Sequence, residues 1–410
     1  MEKVFKSVMG WVDARFPATE TYEYHMSKYY APKNFNFWYF FGVLSMIVLV
    51  NQLVTGIWLT MSYNPSGEGA FDSVEYIMRD VEYGWLLRYM HSTGASAFFV
   101  VVYLHMFRGL LYGSYKKPRE LVWLFGMAIY LALMAEGFFG YLLPWGNMSY
   151  WGAQVILNLV GAVPLVGDDL VTWVRGDFLI SGITLNRFFA LHVVAIPLVL
   201  VALVFMHLVA LHHVGSNNPD GVDIKKVKDE NGIPLDGIPF HPYYTVHDLV
   251  GIVVFLAVFA AVIFFFPDGG GYFLEKPNFE PANGLKTPPH IAPVWYYTPF
   301  YAILRAVPSK LGGVIAMGAS IAVLFVLPWL DKSPVKSIKY KGTQSKIWLA
   351  IFVVSFLGLG YLGATPSDPI KTVFAQILSV TYFLFFLLMP FYTSMETVKP
   401  VPDRVTGGAH

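Results

Sequence analysis

The sequence contains no cysteine among its 410 residues. Disulfide bonds, thiolate catalysis, iron–sulfur ligation and covalent attachment of a c-type haem by this chain are therefore excluded. Charge is also scarce, because Asp, Glu, Lys and Arg make up 13% of the residues and hydrophobic residues 56%. The net charge of +1 indicates no class of partner. Soluble domains carry about 25% charged residues, so the composition predicts a membrane protein.

Eight apolar segments are long enough to cross a bilayer as helices, which takes about twenty residues each. An even number places both termini on one side. Lysine and arginine are concentrated in the amphipathic amino-terminal region, in the carboxy-terminal tail and in the connections after spans two, four and six, which predicts that these regions are cytoplasmic. The predicted fold class is thus an all-α integral membrane protein. Its predicted spans are residues 36–62, 85–112, 121–142, 185–212, 247–267, 312–330, 346–364 and 371–393.

Two of these spans carry paired histidines, His91 with His105 in the second and His192 with His207 in the fourth. Intervals of fourteen and fifteen residues are close to four helical turns, so each pair lies on one helix face, about 21 Å apart. Both spans run inward from the outer side, which places His91 and His192 at one depth and His105 and His207 at the other. The pattern predicts two non-covalent haem b groups, each held by two histidines. The alternative is that each histidine is a satisfied polar residue of the bundle.

Glycines in the first and third spans repeat the same spacing. Gly42 and Gly126 are expected at the inner depth, and Gly56 and Gly140 at the outer depth. Since glycine has no side chain, these positions allow a backbone to approach a macrocycle edge. The alternative is that they only help membrane helices to pack.

Three arginines lie close in sequence to the proposed ligands, namely Arg88, Arg108 and Arg187. A guanidinium at a helix end can pair with a haem propionate. Ordinary extension of the side chain toward the membrane interface explains each position equally well.

Several longer motifs accompany these positions. They are RYMHSTGASAFFVVVYLHMFRGLLYGSY, GYLLPWGNMSYWG, NRFFALH, LHHVGSNNPDG, FHPYYTVHDLVG and TPPHIAPVWYYTPFYAILRAVP. In this order they resemble cytochrome b of the respiratory ubiquinol:cytochrome c oxidoreductase, of the bacterial type, over nearly the whole chain. The resemblance implies that His91 and His192 hold the low-potential haem and that His105 and His207 hold the high-potential haem. It also implies a diheme bundle of four helices over residues 1–215 and a carboxy-terminal region over residues 216–410, with an outer loop at 268–311.

The resemblance further implies an activity that belongs to an assembled complex. Ubiquinol would be oxidised at an outer, periplasmic-side site and quinone reduced at an inner, cytoplasmic-side site, with net proton translocation. The expected partners are a Rieske-type iron–sulfur protein, a cytochrome c-type subunit, a second copy of the complex and membrane lipids, with no nucleic acid. The expected location is the bacterial inner membrane, with both termini in the cytoplasm.

Four polar residues form the candidate inner quinone site. His212, Ser216 and Asn217 follow the fourth span, and Asp248 opens the fifth. A histidine and an aspartate there can hydrogen-bond the quinone carbonyls and deliver protons. The alternative is that they are ordinary interfacial polar residues.

The candidate outer site departs from the family. Mitochondrial members carry Pro-Glu-Trp-Tyr, whereas this chain has Pro293, Val294, Trp295 and Tyr296. The expected proton acceptor is therefore missing, and we hypothesise that Glu136, one turn before Gly140, replaces it. A carboxylate within a span is costly unless it is functional or paired. Tyr141 and His290 are further candidates for the pocket and its proton exit.

A second departure is the interval of fifteen residues between His192 and His207, where mitochondrial members have fourteen. One extra residue turns a helix by about 100°. A local π-bulge near Pro197 would absorb it.

Two other classes of function stay open from the residues alone. One is a diheme membrane anchor with a single quinone site, whose long outer loops serve only for docking. The other is a helical transporter or a structural subunit without haem. A visible spectrum that shows haem would exclude the transporter or structural subunit. Separate inhibitors of the two quinone sites would distinguish the diheme anchor from a protein with two such sites.

Overall fold

The computed structural model describes residues 2–407. Within them, eight helices are long and apolar enough to cross a membrane, so the predicted all-α membrane fold is confirmed. We number them as spans 1 to 8. They run from Phe37–Thr60, Gly84–Tyr112, Glu120–Leu142, Gly182–Val214, Phe240–Phe265, Lys310–Leu330, Thr343–Ala364 and Pro369–Leu387.

Shorter elements lie before, between and after the spans. The α-helices are Glu2–Asp13, Ala18–Tyr22, Ala70–Arg79, Asn147–Val160, Gly167–Arg175, Thr298–Ala306 and Met389–Met395, with a π-helix at Glu23–Ser27. Short 3-10 turns occupy Ile224–Lys226, Gly269–Gly271, Lys276–Phe279 and Trp295–Tyr297. Two strands, Tyr30–Pro32 and Gly237–Pro239, pair antiparallel with Tyr30 opposite Pro239.

The interior between the spans contains buried tyrosines whose hydroxyl groups have hydrogen-bond partners. Tyr130 is 1% exposed and lies 3.1 Å from the hydroxyl of Tyr103. Tyr382 is equally buried and donates to the carbonyl of Ser320 at 2.7 Å. A buried hydroxyl without a partner would cost free energy in a low-dielectric interior. These bonds therefore allow tyrosine to fill the core beside purely apolar residues.

Span 4 is interrupted by a π-helix at Leu191–Ala195, directly before Pro197. Proline has no backbone N–H, so the carbonyl of Val193 lacks its usual helical donor. A π turn takes up one extra residue in a helix. The predicted bulge near Pro197 is thus confirmed, and the fifteen-residue histidine interval behaves as fourteen residues of regular helix.

Candidate haem and quinone sites

The outer histidine pair faces across the space between spans 2 and 4. The ring centroids of His91 and His192 are 6.1 Å apart, with their planes at 87°. Two metal–imidazole bonds of about 2 Å each, with ring radii of about 1 Å, need about this separation. The pair therefore fits the two axial positions of one haem iron.

Hydrogen-bond partners orient both outer imidazoles. The Nδ1 of His91 lies 3.0 Å from the hydroxyl of Thr55. The Nδ1 of His192 lies 3.0 Å from the backbone carbonyl of Glu136 and 3.0 Å from its carboxylate Oε1. Histidines that bind metals usually donate the second ring nitrogen in this way, which fixes the ring and leaves Nε2 for the metal.

The inner histidine pair faces across the same two spans but, within the described chain, lacks the hydrogen bonds that orient both outer rings. The ring centroids of His105 and His207 are 6.4 Å apart, with their planes at 65°. The buried Nδ1 of His207 has no hydrogen-bond partner among residues 2–407. Arg108 lies 3.4 Å from the Nδ1 of His105, and its guanidinium stands 5.0 Å over the ring of Tyr39. The inner pair also fits one haem iron, with a cation beside it.

The other two arginines differ in their placement. Arg88 lines the cavity beside His91, where a negatively charged group would be within its reach. Arg187 is exposed and donates to the carbonyl of Trp173 in the outer loop. The structure thus brings Arg88 and Arg108 to the histidines and engages Arg187 with the loop.

Each of the four glycines lies against one histidine. A Cβ atom at Gly56 or Gly140 would lie closer to the imidazole Cε1 than ordinary contact allows, and one at Gly42 or Gly126 would touch it at 3.4 Å. The missing side chain therefore makes room for the imidazole itself. The pairs are Gly42 with His105, Gly126 with His207, Gly56 with His91 and Gly140 with His192. These pairs match the two depths expected from the sequence.

A cavity of about 510 Å³ extends from the outer histidine pair toward the outer loops. Its wall includes several of the residues singled out in the sequence, namely Glu136, Tyr141, Val294 and Tyr296. Val294, where the resemblance leads one to expect glutamate, contributes an apolar side chain. The cavity is large enough to hold planar ligands between the spans.

Three other outer candidates lie outside this wall in the described chain, Pro293, Trp295 and His290. The indole N–H of Trp295 donates to Ser96 Oγ at 3.1 Å. His290 Nε2 lies 3.3 Å from the carbonyl of Ala364 at the end of span 7. These contacts hold the loop against the spans.

A carboxyl group that the sequence did not single out adjoins the same cavity. The Tyr141 hydroxyl donates to Glu275 Oε2 at 2.7 Å, and the Asn278 amide donates to that oxygen at 3.2 Å and to Tyr141 Oη at 3.1 Å. Burial raises the pKa of Glu275 to about 7. The sequence alone gives no reason to choose Glu275 over the exposed Glu280 of the same loop as a functional residue. The two differ only in the structure, where the loop folds back so that Glu275 contacts Tyr141 of span 3.

At the inner end of span 4, the amino-terminal region contributes to the candidate quinone site. His212 Nδ1 lies 3.1 Å from the Nδ1 of His25, and the Tyr29 ring lies 4.6 Å from the His212 ring. The Tyr29 hydroxyl is 3.2 Å from Ser216 Oγ. The sequence did not predict His25 as a residue of this site, because an amphipathic segment does not indicate which span it will pack against.

The remaining two inner candidates occupy different environments. Asn217 is 2% exposed, and its amide donates to the carbonyl of Tyr112 at 2.7 Å, so it ties span 4 to the end of span 2. Asp248 is half-buried in the first turn of the helix Thr245–Phe265. The segment before that helix reaches the cluster through Phe240, whose ring centroid is 6.3 Å from that of Tyr29.

Comparison with known proteins assigns this architecture to a family. The family model described as Cytochrome b/b6/petB matches residues 26–215, and that described as Cytochrome b(C-terminal)/b6/petD matches residues 281–383. A cytochrome b of Allochromatium vinosum is 63% identical over 97% of this chain and 98% of its own length. The chain belongs to the cytochrome b family. A cytochrome b of Rhodospirillum rubrum is 51% identical over 97% of this chain and 96% of its own length.

A solved structure agrees with these relatives. It is described as a hyperthermophilic respiratory Complex III, with a TM-score of 0.88 and 39% identity over 94% of this chain and 99% of the matched chain. The predicted cytochrome b subunit of a quinol:cytochrome c oxidoreductase is thus confirmed. Haem b binding, electron transport, a multi-pass membrane location and association with other subunits of the complex follow from the family.

Proposed function

We propose that this cytochrome b oxidises ubiquinol at an outer, periplasmic-side site and reduces quinone at an inner, cytoplasmic-side site, and thereby contributes to proton translocation. The observation that supports this most strongly is the repeated histidine–glycine geometry. Two facing histidine pairs, each with two glycines against the rings, lie at two depths of one bundle. Depths about 21 Å apart fit within a hydrocarbon core of about 30 Å.

Haem b bound at each pair would supply a one-electron carrier, so that electrons cross the membrane in two stages. His91 and His192 would hold the low-potential haem on the outer side, and His105 and His207 would hold the high-potential haem on the inner side. Arg88 and Arg108 offer guanidinium groups for the propionates, whereas Arg187 is engaged by Trp173. The diheme bundle would lie within residues 1–215, and the outer site would be completed by the loop 268–311 of the carboxy-terminal region 216–410.

The outer quinol site occupies the cavity beside His91 and His192. Tyr141, Tyr296 and Glu136 supply the polar groups of its wall. Phe99 stacks on Tyr296 at 3.8 Å between ring centroids and holds that ring in place. A mostly apolar cavity with a few convergent polar groups suits a hydrophobic quinol whose two hydroxyls must be oriented.

We assign the inner quinone site to the end of span 4 and the start of the helix Thr245–Phe265, with His212, Ser216 and Asp248 as its polar groups. His212 and Ser216 contact His25 and Tyr29 of the amino-terminal region. His212 and Asp248 are groups that can hydrogen-bond the quinone carbonyls and supply protons. Asn217 positions the end of span 4 through Tyr112. His25, at hydrogen-bond distance from His212, extends this set toward the cytoplasm.

The assembled complex would contain this chain with a Rieske-type iron–sulfur protein and a cytochrome c-type subunit, as a homodimer among membrane lipids. The chain has no cysteine, so iron–sulfur and covalent haem centres must be on other subunits. Its location would be the bacterial inner membrane with cytoplasmic termini, since the lysine- and arginine-rich connections lie on the side of both termini.

Haem reduction by quinol in the presence of site-selective inhibitors tests the two-site proposal. With two quinone sites, electrons reach the haems from either site, so an outer-site inhibitor alone or an inner-site inhibitor alone leaves haem b reduction in place. Both inhibitors together should abolish it. Complete loss with one inhibitor would instead support the diheme anchor with a single quinone site.

A further inference from the structure

We propose that Glu275 receives the proton of ubiquinol through the hydroxyl of Tyr141 and releases it to the outer surface. The inference rests on the outer quinol site proposed above. It gives the missing acidic role to a loop residue outside the Pro293–Tyr296 motif.

The geometry provides a continuous path between cavity and surface. Tyr141 lines the cavity, and its hydroxyl donates to the Glu275 carboxylate at 2.7 Å. Asn278 donates to both groups and holds them at this distance. Glu275 is half-buried, and the adjacent Lys276 is exposed. The carboxyl therefore lies between the cavity wall and the loop surface.

The other acidic candidate at this cavity is paired with a proposed iron ligand through one of its oxygens. Glu136 directs Oε1 to the Nδ1 of His192, and its buried Oε2 has no hydrogen-bond partner among residues 2–407. Val294 cannot carry a proton. Of the titratable side chains facing Glu275, Tyr141 belongs to span 3 and Tyr296 to the turn before the helix Thr298–Ala306. Neither is charged near neutral pH, so a proton can reach the carboxylate without passing a fixed cation.

The proton transfer balances in one concerted step. The quinol O–H bond breaks as an O–H bond forms at Tyr141 Oη, and Tyr141 gives its original proton to a Glu275 carboxylate oxygen. The oxidant for that quinol would be an iron–sulfur centre on another subunit or a haem b held by His91 and His192, which would take up the electron. Glu275 then loses the proton to water at the loop surface. Tyr141 ends in its starting state, and Glu275 is ready for the next proton.

The direction in which quinol oxidation changes with pH follows from the protonation state of the Glu275 carboxyl group. Because burial raises the pKa of Glu275 to about 7, the group is protonated below this pH and cannot accept a proton. Above it the carboxylate is free. Quinol oxidation through this path should therefore rise as pH increases through about 7.

The test uses the assembled complex, a short-chain ubiquinol and oxidised cytochrome c as electron acceptor. Glu275→Gln should slow quinol oxidation about tenfold or more and remove the rise across pH 7, as loss of a proton-transfer group does. Tyr141→Phe should remove the same rise. Glu275→Asp should retain it with a lower rate. Glu280→Gln is the matched control, since Glu280 lies in the same loop and is paired on the surface with Lys286 at 2.6 Å.

Haem spectra and inner-site haem reduction, measured with the outer site inhibited, separate folding from proton transfer. Both should be unchanged in Glu275→Gln. An unchanged rate and pH profile in that variant would overturn the proposal, as would a large loss in Glu136→Gln with none in Glu275→Gln. If Glu275→Gln loses haem, the pH profiles of Tyr141→Phe and Glu275→Asp decide. Absence of quinol oxidation in the unmodified complex would contradict the outer site itself and not the role of Glu275.

Discussion

At the scale of single residues, the outer histidines are positioned by the groups behind them. Thr55 faces the Nδ1 of His91, while both the carbonyl and the carboxylate of Glu136 face the Nδ1 of His192. A carboxylate on a ligand's second nitrogen raises the electron donation of that imidazole. The two outer ligands therefore differ electronically although both are histidine.

The variant Glu136→Gln should raise the midpoint potential of the outer haem while both haems stay bound. The amide can still accept the hydrogen bond from His192 Nδ1, but the negative charge that stabilises oxidised iron is gone. A redox titration of the outer haem band measures the shift. The hypothesis that Glu136 is the proton acceptor predicts a strong loss of quinol oxidation at unchanged haem potentials, so one variant separates the two roles.

The sequence predicts the depth of a residue in the bundle well where the residue lies in a regular helix, because the spacing in sequence then fixes the position along the helix. The depths of His91, His105, Gly56 and Gly42 follow from 3.6 residues per turn, and the contacts in the structure agree with them. Glu275 could not be predicted, because its loop lacks a repeating geometry and only its contact with Tyr141 identifies it. The same holds for residues of the amino-terminal region such as His25.

At the scale of elements, the π-helix in span 4 is the main irregularity of the diheme bundle. It lies between a start fixed by Ser181, whose side chain accepts from the backbone of Ile183, and the proline at position 197. The bulge was predicted from an interval one residue longer than in mitochondrial members, together with Pro197. The sequence did not predict the helices Asn147–Val160 and Gly167–Arg175, since each is too short and mixed to stand out among outer-loop residues.

Deleting Val194 should leave both haems bound. The residue lies in the π-helix and its side chain is exposed, so its removal converts the π turn into regular α-helix and leaves fourteen residues between His192 and His207. Deleting Val100, also exposed but in the regular helix between His91 and His105, is the matched control. That deletion turns one histidine by about 100° and should cost a haem. The number of haems per chain is measured for both deletion variants. An equal loss of haem in the two variants would contradict the role of the π turn.

At the scale of the whole molecule, a buried carboxylate ties the amino-terminal region, the connection after span 4 and the tail together within the described residues. Asp236 accepts from Arg404 of the tail at 2.6 Å and pairs with Lys33 at 3.1 Å, next to the short sheet that joins residues 30–32 and 237–239. The hydrogen bond from Arg404 lowers the pKa of Asp236 to about 2. The even number of spans predicted that the termini share a side, but the sequence did not reveal which charges pair across 168 or more positions of the chain.

Two bis-histidine centres are tested most directly by a redox titration of the visible spectrum of the assembled complex, with haem b quantified per copy of this chain. Two b haems should titrate at separate potentials. Replacing His192 with alanine should remove one of them, and replacing His207 with alanine should remove the other. A single haem, or the same component lost in both variants, would contradict two bis-histidine centres and the transmembrane electron path built on them.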